Sequence, residues 1–128
     1  MNKTKRSIPG LIMSGLVIAF MLMDATFKFI QPAEVIETTA SLGWSPHHII
    51  VMGVLGLMVT ILYVIPKTSI IGAILMTGFL GGAIATNLRV DNPLFSHVLF
   101  PVYLGILAWG GLMLRNPGVK NIFTLKNP

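Results

Sequence analysis

Four long runs of apolar residues, separated by short polar connections, occupy most of the chain. Their bounds are Ile8–Ile30, His47–Ile65, Ser69–Leu88 and Pro93–Leu114. A helix needs about 20 predominantly apolar residues to cross the hydrocarbon core of a bilayer, and each run is close to that length. The pattern therefore predicts four membrane-spanning helices in a single membrane domain, residues 1–128.

Prolines and capping residues mark the ends of these runs. Ser45 and Asn92 each precede a proline, as at the start of a helix, and Pro66 follows the second run. The connections after the second and third runs are therefore short, which makes neighbouring helices antiparallel. We predict the fold class to be all-α: an integral membrane four-helix antiparallel bundle.

The longer connection between the first two runs, residues 33–44, mixes apolar and polar side chains. Val35 and Leu42 are interspersed with Glu34 and Glu37. This pattern predicts a short amphipathic helix that lies on the membrane surface between spans one and two.

The composition excludes a soluble protein. Apolar residues make up 54% of the chain, charged residues 10%, and the mean hydropathy is +0.82, whereas a soluble domain carries roughly 25% charged residues. The formal net charge of +5 does not indicate nucleic-acid binding, because the nine Lys and Arg residues are spread along an apolar chain. The chain has no cysteine, which excludes disulfides, thiolate metal sites and iron–sulfur clusters.

Basic residues ahead of the first run, Lys3, Lys5 and Arg6, also fit a signal peptide. The run is longer than the apolar core of a signal peptide, which is about 7–15 residues, and it shows no convincing small-residue cleavage site. We therefore predict a retained first helix.

Basic residues also predict the orientation of the bundle. Seven of the nine fall on one side if the N-terminus is cytoplasmic: Lys3, Lys5, Arg6, Lys67, Arg115, Lys120 and Lys126. Cytoplasmic loops carry an excess of Lys and Arg. We therefore predict that both termini are cytoplasmic and that residues 33–44 lie outside.

Polar and ionisable side chains gather in the outer third of the predicted spans: Asp24, Lys28, His47, His48, Asn87, Arg89 and His97. An ionisable residue inside a span costs about 2.5–3.5 kcal/mol on insertion scales, so each one requires a partner or a function. One interpretation is a structural network in which Asp24 pairs with Lys28 or Arg89. The other is a small polar pocket with an apolar floor, which suits an amphipathic ligand.

His97 is the candidate catalytic side chain. Pro101 cannot donate a hydrogen bond to the carbonyl of His97, so the fourth span should bend there. An imidazole at that bend suits proton exchange with a quinone-like oxygen or with solvent; the alternative is a hydrogen-bonded packing group.

A metal or haem site is less favoured, because adjacent His47 and His48 point about 100° apart on a helix and at most one faces inward. We predict no metal site.

Small residues recur in span three at Gly78, Gly82 and Thr86, and span four carries Gly105 and Ala108. Small residues at this spacing let helix backbones approach closely within lipid. We therefore expect spans three and four to pack tightly along these positions.

Two segments resemble the signature of the bacterial DoxX-like membrane proteins: residues 79–89, FLGGAIATNLR, and residues 93–105, PLFSHVLFPVYLG. Further residues are similar to the family's first-helix and loop pattern: Asp24, Ala25, Lys28, Pro32, Leu42, Gly43 and Trp44. The resemblance implies a small four-helix protein of the bacterial inner (cytoplasmic) membrane. The family is named after a small subunit linked to quinone-dependent oxidation.

This chain departs from the family pattern at two positions. Asn87 stands where relatives often carry histidine, and Asp91 replaces a glycine that is commonly found after the arginine segment. The first departure argues against a metal or haem ligand at position 87.

The pocket chemistry and the resemblance together favour a protein that binds a quinone-like or lipid ligand near the outer face, as an accessory subunit of a redox system. Its predicted ligand-binding residues are Asp24, Lys28, Asn87, Arg89 and His97. The alternative is a helper or assembly protein that stabilises another membrane protein, with a purely structural polar cluster. No motif for an autonomous enzyme or its cofactor is evident. The expected partners are the lipid bilayer and a redox or other membrane protein, with a homo-oligomer left open.

Single cysteines at Thr38 and Asn121 test the orientation, because the chain has no other cysteine. A membrane-impermeant maleimide applied to intact cells should label the variant at position 38, whereas the variant at position 121 should be labelled only after permeabilisation. The reverse labelling pattern would show that the bundle is inserted the other way round.

Overall fold

The computed structural model describes residues 8–116 and 118–119, which form helices joined by short turns, with no strand among them. The α-helices are α1 (Ile8–Ile30), α2 (Ala33–Ser41), α3 (His47–Val64), α4 (Ser69–Arg89) and α5 (Phe100–Arg115). A 3₁₀ turn, Pro66–Thr68, joins α3 to α4, and a π-helical turn, Leu94–Val98, leads into α5. The predicted all-α class is confirmed, and α2 is the short helix expected between spans one and two.

Several positions used to predict or test the orientation lie outside the described residues: Lys3, Lys5, Arg6, Lys120, Asn121 and Lys126.

The four long helices form an antiparallel ring in which each packs against two neighbours. α1 packs against α3 and α5, and α4 packs against the same two helices from the opposite side. Helix α2 lies across one end of the ring, which we call the α2 end. The other end carries the turn Pro66–Thr68, the start of α1 and the end of α5, and we call it the closed end.

The outward faces of the long helices are apolar. Only 28% to 33% of the residues in the most apolar stretch of each span are buried inside the bundle, and the exposed side chains include Ile12, Leu16, Ile74 and Ile106. Soluble proteins rarely expose continuous apolar surface on this scale. All four helices are long and apolar enough to cross a membrane, as expected for a multi-pass membrane protein.

Tyr63, which is fully buried, connects three helices at the closed end. Its hydroxyl donates to the carbonyl of Ala108 in α5 at 2.5 Å and accepts from Ser14 Oγ in α1 at 2.9 Å. Arg115 Nε in turn donates to Ser14 Oγ at 3.0 Å, and its guanidinium carbon lies 5.6 Å from the centre of the Tyr63 ring. A chain of hydrogen bonds thus joins α1, α3 and α5.

The fourth helix reaches the same tyrosine through its backbone. A side chain at Gly72 of α4 would collide with the backbone of Leu62 and Tyr63, so only glycine permits this close approach. Ser69 Oγ donates to the carbonyl of Tyr63 at 2.9 Å. All four spans therefore meet at Tyr63.

Span four is not one continuous α-helix. The N–H of Leu99 donates to the carbonyl of Leu94 at 2.9 Å, five residues back, and regular α-helix resumes at Phe100. Pro101 has no N–H to donate to the carbonyl of His97. The interruption of the helix lies between His97 and Pro101, in the region where the sequence predicts a bend.

Tyr63→Phe should lower the free energy of unfolding in detergent by about 1–3 kcal/mol, because it removes the hydrogen bonds to Ser14 and Ala108. Tyr103→Phe is the matched control: Tyr103, the other tyrosine, donates to the carbonyl of Phe95 at 3.0 Å at an exposed position near the α2 end. Thermal unfolding followed by circular dichroism compares the two. Equal midpoints for both variants would show that the Tyr63 network adds no stability.

Candidate functional site

A cavity of about 660 Å³ occupies the α2 end of the ring. Apolar side chains deeper in the bundle line it: Phe20, Met21, Leu80 and Leu104. Polar side chains nearer α2 also line it: Asp24, Lys28, Thr86, Asn87, Ser96 and His97. Four of the five predicted ligand-binding residues are thus brought to one cavity, and the fifth, Arg89, is not.

Asp24 and Lys28 form an ion pair on the α1 wall of the cavity. Lys28 Nζ donates to Asp24 Oδ2 at 2.5 Å, and the side chains are 18% and 33% exposed for Lys28 and Asp24. The spacing of four residues places them on the same face of the helix. The sequence left Lys28 and Arg89 open as partners of Asp24, and in the structure the partner is Lys28.

His97 lies in the π-helical turn beside Ser96. Ser96 Oγ and His97 Nδ1 share a hydrogen bond of 2.7 Å, whose direction follows the tautomer of the imidazole. If Ser96 donates, Nε2 carries the ring hydrogen; if Ser96 accepts, Nε2 is an acceptor. The second ring nitrogen can therefore either give or take a proton.

Asn87 is held by two hydrogen bonds. Its Nδ2 donates to the carbonyl of Ala83 at 2.9 Å, and its Oδ1 accepts from Asn92 Nδ2 at 2.7 Å. Between Asn92 and α4, Asp91 has φ 58°, a left-handed conformation that favours glycine and that aspartate tolerates better than most residues. Asn87 thus also fastens the end of α4 to the turn that precedes His97.

Helix α2 forms the roof of the cavity. Val35, Thr39 and Leu42 recur at helical spacing and line the cavity together with Glu34 and Thr38. The sequence places this helix on the membrane surface, but its cavity-facing side is visible only in the structure. Glu34, Thr38 and Thr39 bring polar groups to the cavity that the sequence pattern did not predict there.

Arg89 secures the roof rather than the cavity wall. Its Nη2 donates to the carbonyl of Leu42 at 3.3 Å, and a side chain at Gly43 would collide with its guanidinium. Gly43 also has φ 93°, which glycine adopts without a steric cost. The glycine therefore turns the chain and leaves room for the arginine.

The other histidines near the α2 end do not line the cavity. His48 packs edge-on against Trp44, with ring centres 5.5 Å apart, and its Nδ1 accepts from the N–H of Ser45 at 3.1 Å. The ring of His47 lies 4.2 Å from that of His48. Across residues 8–116 and 118–119, no three His, Asp or Glu side chains are grouped so as to hold a metal ion.

Gly78 and Gly82 of α4 serve the cavity rather than close helix packing. Gly78 and Gly82 line the cavity, and a Cβ added at either one would meet no other atom within 4 Å. The expected tight packing of spans three and four is therefore wrong at Gly78 and Gly82. Close backbone contact occurs instead at Gly72 and at Gly111, which faces the backbone of α1.

A sequence model of the DoxX-like family matches residues 12–111 of the chain. This range includes the residues named above on the cavity wall and roof, from Phe20 to Leu104. No curated protein and no solved structure matches the chain.

Asp24→Asn should lower the free energy of unfolding in detergent by about 1–3 kcal/mol, because it leaves the half-buried Lys28 ammonium without its charged partner. The double variant Asp24→Asn with Lys28→Met should recover part of that loss. Glu37→Gln, on an exposed position of α2, is the control. A loss no larger than that of the control would show that Asp24 is only hydrated.

Proposed function

We propose that this chain, which belongs to the DoxX-like family, binds an amphipathic ligand in the cavity as an accessory subunit of a membrane redox system. The ligand is a quinone-like ring compound or a lipid. The observation that carries the proposal is a cavity of about 660 Å³ with an apolar interior and a polar wall. Its volume lies within the range of about 300–1,000 Å³ that is typical of small-molecule sites.

The arrangement of the cavity suits such a ligand. The apolar part would lie against Phe20, Met21 and Leu104, and the polar head would reach Lys28 and His97. The ammonium of Lys28 can donate to a ligand oxygen while it remains paired with Asp24. His97 would exchange a proton with that oxygen through Nε2, because Nδ1 is occupied by Ser96.

Asn87 and Arg89 take part in a different way. Asn87 fixes the wall beside His97, and Arg89 acts on the ligand through the roof, which it holds at Leu42. A ligand pressed against the roof would depend on this contact without touching the guanidinium.

The α2 end faces the outside of a bacterial inner membrane in this proposal. Lys67 and Arg115 lie at the closed end, and Lys28 and Arg89 lie at the α2 end. The excess of basic residues that favours a cytoplasmic closed end therefore comes from the sequence before α1 and after α5: Lys3, Lys5, Arg6, Lys120 and Lys126. The two termini would then lie on the same side. A ligand would reach the cavity from the outer leaflet.

The polar side chains also support a second candidate function. Asp24 with Lys28, Asn87 with Asn92, and Ser96 with His97 are each paired within the protein. Such pairing is what a helper protein needs if its polar cluster only stabilises the bundle for contact with another membrane protein or a second copy. A ligand that co-purifies in mild detergent supports the first function, and a stoichiometric protein partner without a ligand supports the second.

Gly82→Leu should abolish the binding of a quinone analogue to the purified protein, because the new side chain enters open space in the cavity without meeting another atom at its Cβ. Gly81→Leu is the matched control: its Cβ also meets nothing, and it does not line the cavity.

His97→Ala should weaken binding about fivefold to tenfold, the value of a hydrogen bond of about 1 kcal/mol or slightly more. Unchanged binding in folded Gly82→Leu and His97→Ala variants would eliminate the ligand and favour the helper.

A further inference from the structure

We infer that the cavity prefers an amphiphile with a positively charged head, an ammonium group on an apolar or aromatic body. This inference rests on the proposed function, because it concerns the same cavity, and it favours the lipid-like amphiphile over the quinone-like compound, which carries no positive charge. It adds the class of ligand that the charges of the wall and roof select.

The charges that line the cavity sum to a negative value. Asp24 and Glu34 contribute two carboxylates, and Lys28 contributes one ammonium. Counted formally, with histidine uncharged as in the net charge of the chain, these groups leave one negative charge. Arg89 does not compensate it, because its guanidinium is turned to the carbonyl of Leu42 and does not line the cavity.

Three polar side chains of the roof, those of the exposed Glu34 and Thr38 and the buried Thr39, have no partner in the part of the chain that the structure describes. Glu34 makes no ion pair or side-chain hydrogen bond with residues 8–116 or 118–119. Thr39 is only 7% exposed, lines the cavity, and its hydroxyl makes no hydrogen bond within the same residues. The oxygens of these side chains can accept a hydrogen bond from a protonated amine.

Aromatic rings also line the cavity, where they would contact a positively charged head group. Four line the cavity besides the imidazole: Phe20, Trp44, Phe79 and Phe100. Phe20 and Phe100 contact each other edge to face, with ring centres 5.1 Å apart. The faces of aromatic rings attract cations, most strongly where water is excluded. An anionic head would find one ammonium, already paired with Asp24, and an unpaired carboxylate.

The experiment uses the full chain in phosphatidylglycerol nanodiscs and three matched probes. Each probe is an alkylnaphthalene, with a primary ammonium, an alcohol or a carboxylate head, and binding is corrected for partition into empty nanodiscs. The ammonium probe should bind most tightly and the carboxylate least tightly. Glu34→Gln should weaken the ammonium probe about threefold to fivefold, the scale of an exposed ion pair, and leave the alcohol unchanged.

Glu37→Gln is the matched control, because it removes the same charge from the same helix at an exposed residue that does not line the cavity. It should leave all three probes unchanged. Equal effects of Glu34→Gln and Glu37→Gln, or equal affinities of the ammonium and alcohol probes, would overturn the inference. The proposed function would survive that result if Gly82→Leu still abolished alcohol binding. If Gly82→Leu affected none of the probes, both would fail.

A repeat in phosphatidylethanolamine nanodiscs separates two sources of the ammonium. Weaker binding of the uncharged alcohol probe there would show that the ammonium-bearing lipid headgroup competes for the cavity, because the alcohol does not respond to the loss of the anionic surface. Unchanged alcohol binding would show that this headgroup does not enter the cavity, which leaves a free membrane-dissolved amine as the source of the ammonium.

Discussion

The buried hydroxyl of Tyr63 is the interaction on which the arrangement of the bundle depends. Lipid tails are as apolar as the side chains of the spans, so burial of apolar surface gives little reason for helices to associate in a membrane. Hydrogen bonds and close backbone contact must fix the arrangement instead. Tyr63 provides both, through Ser14 and Ala108 on one side and Gly72 on the other. With the closed end secured in this way, the α2 end can leave a cavity open without loss of the fold.

The fold was largely predictable because its main signals are local. The length of each apolar run and the position of each proline determine where a span begins and ends, and the observed α1 matches the predicted Ile8–Ile30. The contacts that hold the bundle together were not predictable in the same way. Ser14 and Arg115 are separated by 101 positions in the sequence, and neither stands out from the pattern of its own helix. Asp91 occupies a left-handed position, which glycine would adopt without a steric cost.

The sequence predicts how deep in the bundle the site residues lie, but not which way their side chains point. Counting residues from the end of each span places Asp24, Asn87 and His97 at one level, and the cavity indeed includes all three. The direction of a side chain at a helix end depends on which neighbour offers it a hydrogen bond. Arg89, the last residue of α4, therefore turns to the carbonyl of Leu42. The role of Gly82 was equally hard to predict. A small residue in a membrane helix allows either close contact with another helix or open space, and the positions of the neighbouring helices determine which of the two occurs.

The roof rests on a cavity instead of a packed core. Val35 and Leu42, the apolar side chains of α2 that line this space, have no layer of side chains filling it beneath them. A bound amphiphile would complete the hydrophobic core of this end, so ligand binding and the docking of α2 become linked equilibria. Ligand in excess would stabilise the docked helix by RT ln(1 + [L]/Kd). If docking of the empty roof costs free energy, the binding free energy of the ligand is reduced by that same amount. Under the proposed function, the concentration of ligand in the membrane would thereby control how much of the protein has its roof in place.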